Sequence, residues 1–199
     1  MRELHAIVLA AGASTRFGSP KQLAIVSGAP MLQLVLNRAI ELCGDAVTVV
    51  LGAHAAQLAP VLSRTSASPV INLAWQEGLA ASIRTGMEQV PDSCAGVLLM
   101  LGDQVAVGTG DLQRLVDAWQ QDRHTIAAAQ YAGGHGVPAI FPHDQFSTLR
   151  ALRGTHGARK LLRNPMCKLV GVPMANAALD VDTPGDLLSA MGQRDQNPV

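Results

Sequence analysis

Ala6-Ile-Val-Leu-Ala-Ala-Gly-Ala-Ser-Thr-Arg-Phe-Gly-Ser-Pro-Lys-Gln-Leu23 is the stretch on which the reading of the whole chain turns. Its first six residues are apolar and short, as suits a first strand buried on both faces of a parallel sheet. The strand stops at Gly12. Gly12 and Gly18 then bracket a loop of small and hydroxyl side chains in which backbone N–H groups can face a bound anion, while Arg16 and Lys21 bring mobile positive charge. A triphosphate fits that chemistry; the plainer alternative is a glycine-rich surface turn with two solvated cations. Five residues separate the two glycines and Ser19-Pro20 follow, so this is not a Walker A loop, which needs four and then Lys-Ser/Thr. No Gly-x-Gly-x-x-Gly opens a helix after the strand either, which excludes the dinucleotide fingerprint.

Leu9 to Leu23 resembles the signature loop of the nucleotidyltransferases that activate sugars, isoprenoid precursors and molybdopterin. Phe17-Gly18 and Lys21-Gln22-Leu23 are most similar to the molybdenum cofactor cytidylyltransferase branch. The guanylyltransferase branch usually carries Gly-Gly in place of Ala10-Ala11 and ends the loop in Asp-Lys. The resemblance implies an α/β fold: a three-layer αβα sandwich around a Rossmann-like, mostly parallel sheet of the nucleotide-diphospho-sugar transferase type. It also implies nucleotide contacts at Leu9, Ala10, Ala11, Gly12, Arg16 and Lys21.

The 199 residues suffice for one domain with a substantial core, and 48% hydrophobic against 15% charged residues argues against disorder. Aromatics are only 3%, too few for a single-strand stacking platform, and 15 basic residues balance 15 acidic ones. Neither nucleic acid nor a membrane surface is therefore an expected partner. The charge is uneven locally: Arg150, Arg153, Arg159, Lys160, Arg163 and Lys168 fall in a stretch without any acid between Asp144 and Asp180. That run is either a solvated helix face or a site for an anionic substrate or acidic partner. Cys43, Cys94 and Cys167 are far apart and form no Cys-x-x-Cys pair, so reduced buried thiols and a cytoplasmic setting are expected. No signal peptide is read at the N-terminus, and no apolar run reaches the roughly 18 residues of a membrane span.

Helices are expected over Pro30–Leu42, Ala55–Leu62 and Thr109–Gln121, and strands over Ala46–Leu51, Val70–Asn72, Val97–Leu101, Thr125–Tyr131 and Lys168–Pro173, the alternation of a parallel sheet wrapped by helices. Trp75 to Gly86 is a Gly-containing turn feeding a helix whose first turn holds Ala80, Ala81 and Ser82, small enough to admit a flat ring. It resembles the base-recognition loop of cytidylyltransferases, which implies base contacts at Gly78 and Ser82; an ordinary serine-bearing helix start is the alternative.

Asp103 follows the apolar run Val97–Leu101, at the carboxyl edge of a central strand where ligands of open α/β sheets collect. A lone carboxylate there is placed to hold Mg²⁺ against phosphates, or else to cap a turn. The segment resembles the family's Gly-Asp-Gln-Pro turn, which implies a substrate contact at Gln104. Val105 stands where the family has proline; without the ring a looser turn is expected. Three glycines surround His135 before a short extended run ending at Phe141, which looks like the family's substrate loop with Gly136-Val137 intervening before Pro138. Asp144 reads as the N-cap of a helix carrying Phe146, Leu149 and Leu152. Gly157-Ala158-Arg159 matches the family's Gly-Asp-x-Gly-Ala-Arg, with Thr155 replacing the acid, and implies a phosphate contact at Arg159. Asp180 and Asp182 alternate on one face before Thr183-Pro184 opens a last helix. The family's use of the carboxylate before Thr-Pro implies Asp182 as second metal ligand.

Residues 1–193 thus read as a single domain, with a nucleotide-binding half to about 105, an acceptor-binding half beyond, and a tail over 194–199. The resemblance implies a Mg²⁺-dependent transfer of CMP from CTP to molybdopterin with release of pyrophosphate. Catalytic groups would be Arg16, Lys21 and Asp103, and a molybdenum hydroxylase or its chaperone a possible recipient. GMP transfer, a sugar-phosphate acceptor, and a non-catalytic accessory that carries cofactor remain the alternatives.

Overall fold

The computed structural model describes residues 3–179 and Asp186. In chain order these form β1 (Leu4–Ala10), a small hairpin of β2 (Ile25–Val26) and β3 (Ala29–Pro30), α1 (Met31–Cys43), β4 (Val47–Leu51), α2 (Ala55–Leu62), β5 (Ser68–Ile71), α3 (Leu79–Met87), β6 (Gly96–Leu101), α4 (Thr109–Gln121), β7 (Ile126–Tyr131), β8 (Gly134–Pro142), α5 (Phe146–Arg150), α6 (Arg159–Leu162) and β9 (Leu169–Pro173). Seven strands make one sheet in the order β5-β4-β1-β6-β8-β7-β9. β8 runs antiparallel to both β6 and β7, and the other pairings are parallel.

β1 sits between β4 and β6, with Val8 opposite Val49 on one side and Met100 on the other. Its side chains obey the strand's period of two: Ala6, Val8 and Ala10 join a core that includes α1, α2 and α4, whereas Ile7 and Leu9 join a second core with α3, α5 and α6. From Ala6 to Ala10 the strand is covered on both faces and its sequence is a continuous apolar run, while His5, buried just before it, meets Thr48 Oγ1 at 2.9 Å. The α/β three-layer architecture expected from the sequence is therefore the one observed. α3 approaches the sheet closely because Gly86 carries no side chain. A Cβ there would lie 2.6 Å from Ile7 Cγ2 and 3.1 Å from Val50 Cγ2.

Two expectations are corrected. The short extended run around Pro138–Phe141 is in fact the nine-residue strand β8, inserted antiparallel between β6 and β7; strand direction is set by long-range pairing, which no local pattern encodes. The helix expected from Asp144 begins at Phe146, after a 3-10 turn over His143–Gln145, and ends at Arg150, so Leu152 lies beyond it although still buried. Asp144 caps nothing, and its carboxylate pairs instead with His124 Nδ1 at 2.7 Å. Asp180, Asp182, Thr183 and Pro184 lie outside the described residues.

Candidate active site

At the carboxyl edge of β1 the chain leaves regular structure and turns through residues 11–20. The turn is tied by its own side chains. Ser14, in the left-handed region at φ 52°, donates from Oγ to Gln22 Oε1 at 3.2 Å and accepts from the Lys21 N–H at 3.3 Å. Gln22 is buried and donates from Nε2 to the Ala10 carbonyl at 3.4 Å. His54 Nε2 stands 2.9 Å from the Ala13 carbonyl, which can only accept, so that nitrogen carries the proton. These ties fix the place of Lys21. Gly12 has a different reason to lack a side chain: a Cβ there would meet no protein atom within 4 Å. The space beside it belongs to the cavity, not to packing.

Parallel pairing of β1 with β6 brings the second motif to the same edge. Leu9 is in register with Leu101, and the Gly102 N–H donates to the Leu9 carbonyl at 2.9 Å. Asp103 then faces Lys21, with Nζ to Oδ2 at 2.5 Å and both side chains 14% exposed. The other carboxylate oxygen, Oδ1, is buried and has no hydrogen-bond partner among the described residues. An orphaned carboxylate oxygen on a residue that lines a cavity asks for a cation or a donor from a ligand. Mg²⁺ and its analogues take oxygen ligands, one or two of them carboxylates, and fill the rest with water and phosphate. Asp103 fits that donor chemistry. Among the described residues no cluster of three or more His, Cys, Asp or Glu side chains is placed to hold a metal.

The turn after Asp103 is not loosened by Val105. That side chain is fully buried, its N–H donates to the Asp103 carbonyl at 2.9 Å, and its own carbonyl accepts from Arg38 at 2.8 Å. A proline there would have no N–H for the first of these bonds. Gln104, expected to touch substrate, is likewise placed otherwise. It is 1% exposed, donates from Nε2 to the carbonyls of Val137 at 2.8 Å and Ala177 at 3.1 Å, and lines neither cavity described below. Its amide is a strut joining the β6 turn to β8.

Two cavities open at this edge. The smaller, about 230 Å³, is lined by Leu9, Ala10, Ala11, Gly12, Lys21, Gly78, Ser82 and Asp103, together with Gln22, Trp75, Leu79, Leu101 and Gly102. Of the residues expected to bind nucleotide, only Arg16 is absent from the lining; it is exposed on the turn. The larger cavity, about 830 Å³, shares the walls Leu9, Leu79 and Leu101 and includes His135 and Arg159, with Tyr131, His156 and Arg163. His135 lies against β9, where a Cβ on Gly171 would stand 2.7 Å from its Nε2. Arg159 is the first residue of α6. The acid-free basic run thus divides: Arg159 and Arg163 face the cavity, whereas Arg150 pairs with Asp92 at 2.8 Å.

Gly78 lines the smaller cavity and packs against Thr155, which lines the larger. Its φ of 101° favours glycine, and a Cβ would stand 2.9 Å from Thr155 Cα, so the 154–158 loop packs directly on the start of α3. Ser82 is buried within α3 and accepts a hydrogen bond from Asn72 Nδ2 at 3.1 Å. Trp75, Gln22 and Asn72 were not singled out by sequence reasoning. The first two stand inside stretches read as motifs, so proximity was the available signal; Asn72 had none.

A mostly parallel sheet whose edge presents a glycine-bracketed turn, a lysine and a carboxylate with one oxygen unpartnered among the described residues, beside a second basic cavity, carries the groups of a nucleotidyltransferase. The chain belongs to the MobA-like NTP transferase domain family, which it matches over residues 6–171. Its fold is that of Rv0371c from Mycobacterium tuberculosis H37Rv, with a TM-score of 0.82 at 30% identity over 96% of this chain and 98% of that one. A second structure of Rv0371c, with a TM-score of 0.79, is a complex with manganese. At 16% identity the fold alone is shared with CMP:2-keto-3-deoxy-manno-octonic acid synthetase complexed with CTP, with a TM-score of 0.76 over 98% of this chain and 99% of that one. The bifunctional protein GlmU of Xylella fastidiosa (strain M23) is 32% identical over 114 residues, 56% of this chain. The match takes in only 25% of that protein's length. No helix among the described residues is long and apolar enough to cross a membrane.

Proposed function

We propose that this nucleotidyltransferase moves CMP from CTP to the phosphate of molybdopterin carrying its molybdenum, releasing pyrophosphate and forming a cytosine dinucleotide cofactor. The observation that carries this reading is the shared wall between the two cavities. A base and triphosphate in the smaller place the α-phosphate beside Lys21 and Asp103, and an anionic acceptor in the larger meets Arg159. The acceptor phosphate oxygen attacks the α-phosphorus, the bond from that phosphorus to the β-phosphate bridging oxygen breaks, and pyrophosphate leaves. An acceptor phosphate is already ionised, so positioning replaces a general base.

Lys21 neutralises charge on the departing phosphates, with Arg16 reaching in from the exposed turn once a triphosphate is bound. Asp103 Oδ1 would hold Mg²⁺, together with Asp182, which lies outside the described residues, and the ion would supply Lewis-acid charge neutralisation at the phosphates. Gly78 and Ser82 receive the base; His135 and Arg159 receive the acceptor. Residues to about 105 serve the nucleotide and later ones the acceptor. The free thiols of Cys94 and Cys167 suit action in the cytoplasm, where the product would pass to a molybdenum hydroxylase or its chaperone.

The test is pyrophosphate release measured with CTP, GTP, UTP and ATP, each with and without molybdopterin and Mg²⁺. Release that requires molybdopterin and is fastest with CTP supports the proposal. Release with GTP, or with a sugar phosphate as acceptor, replaces it, and cofactor capture without release assigns an accessory role instead.

A further inference from the structure

Asn72 follows the edge strand β5 and is 3% exposed. Its backbone N–H donates to the Leu51 carbonyl at 2.9 Å, which anchors the residue at the sheet edge. The side-chain amide is oriented without ambiguity. The Ala74 N–H, 2.9 Å away, can only donate, so the Asn72 atom facing it is Oδ1. Nδ2 therefore faces Ser82 and donates to its Oγ at 3.1 Å. Ser82 is itself 3% exposed, lines the smaller cavity, and has no acceptor for its own hydroxyl hydrogen among the described residues.

We propose that Asn72 is a specificity-determining residue that acts through Ser82. By occupying one of the two Oγ lone pairs, while the hydroxyl hydrogen has no protein acceptor among the described residues, it biases the hydroxyl to donate toward the cavity, so the site favours a nucleobase that offers a bare acceptor there. Among pyrimidines that is cytosine, whose N3 carries no hydrogen, over uracil, whose N3–H would leave that hydroxyl hydrogen unpaired. A polar site built for one pattern rejects the other because a buried donor is left unpaired. The inference rests on the reading of the smaller cavity as a nucleotide site.

Asn72→Asp tests it. The carboxylate keeps the shape and the acceptor for Ala74, but its second oxygen accepts from Ser82, which then shows the cavity a lone pair. The expected results are a CTP affinity at least tenfold weaker and a CTP-to-UTP preference narrowed at least tenfold. Affinity for inorganic tripolyphosphate, which lacks a base, should stay within about twofold. Ser82→Ala should lose the same preference, and adding Asn72→Asp to Ser82→Ala should change nothing further, since the relay is already cut. A CTP-to-UTP ratio unchanged in Asn72→Asp, or an Asn72→Asp effect that persists in the Ser82→Ala background, overturns the assignment. If Asn72→Asp fails to fold by circular dichroism, Asn72→Ala decides: it removes the donor to Ser82, so a narrowed CTP-to-UTP preference supports the relay and an intact one overturns it. Wild-type protein that binds neither CTP nor tripolyphosphate instead overturns the nucleotide reading of the cavity, and the Asn72 assignment with it.

Discussion

Replacing Asp103 by alanine separates the chemistry of the site from its stability. Among the described residues the carboxylate makes one charge-assisted bond, from Lys21 Nζ to Oδ2 at 2.5 Å, at a position where both side chains are 14% exposed. Losing such a bond destabilises by about 1.5–3 kcal/mol. The same substitution removes Oδ1, a buried acceptor with no partner among the described residues, and so relieves a desolvation penalty of about 1–3 kcal/mol. The two effects oppose each other, and we predict a net change within about 2 kcal/mol. For a chain of this length that is a melting shift of no more than about 8 °C. Turnover should fall at least a hundredfold, equivalent to about 2.7 kcal/mol of transition-state stabilisation. Calorimetric melting, pyrophosphate release, and CTP binding with and without Mg²⁺ measure the three quantities, and the variant should lose the Mg²⁺-dependent part of binding. Near-normal release would remove Asp103 from the mechanism. A melting shift well beyond that range would mean that the carboxyl group serves the fold first.

Three further predictions concern the scaffold. Gly86→Ala places a methyl 2.6 Å from Ile7 Cγ2; overpacking of about 1–3 kcal/mol outweighs a helix-propensity gain of about 1 kcal/mol, so calorimetry should show a lower melting temperature, and a rise would refute the close approach. Gln104→Leu takes a donor from the carbonyls of Val137, which keeps only the longer bond from the Tyr131 hydroxyl at 3.5 Å, and Ala177 and should destabilise by roughly 1–3 kcal/mol in urea titrations while CTP affinity is retained; a selective loss of substrate binding would restore the contact role expected from the sequence. His5 is buried beside Thr48 Oγ1 at 2.9 Å, and burial holds its pKa below the ordinary value. Because the unfolded chain protonates first, this contribution is present above about pH 6.5 and lost as pH falls through it; urea midpoints near about pH 7.5 and about pH 5 should differ less in His5→Gln than in the wild type.

Much of this molecule is written in local pattern. The both-faces-buried strand at Ala6–Ala10, the helices Ala55–Leu62 and Thr109–Gln121, the glycine-bracketed turn and the carboxylate after Leu101 are each legible because periodicity and turn chemistry act over a few residues. What those pieces do to one another was decided only in three dimensions. Lys21 and Asp103 stand 82 positions apart and meet because β1 pairs with β6 in one register. The same pairing, with β8 entering antiparallel on the far side of β6, turns Gln104 into a strut and gives the larger cavity its own wall. Asn72 shows the limit most plainly. Nothing in its neighbours along the chain marks it, and its relation to Ser82 exists because the end of β5 and the start of α3 are folded onto one edge of the sheet. Sequence determined which chemical groups were available, through short-range preferences of the backbone; tertiary structure decided which of them share a cavity, because hydrogen-bond register between distant strands is a property of the whole sheet.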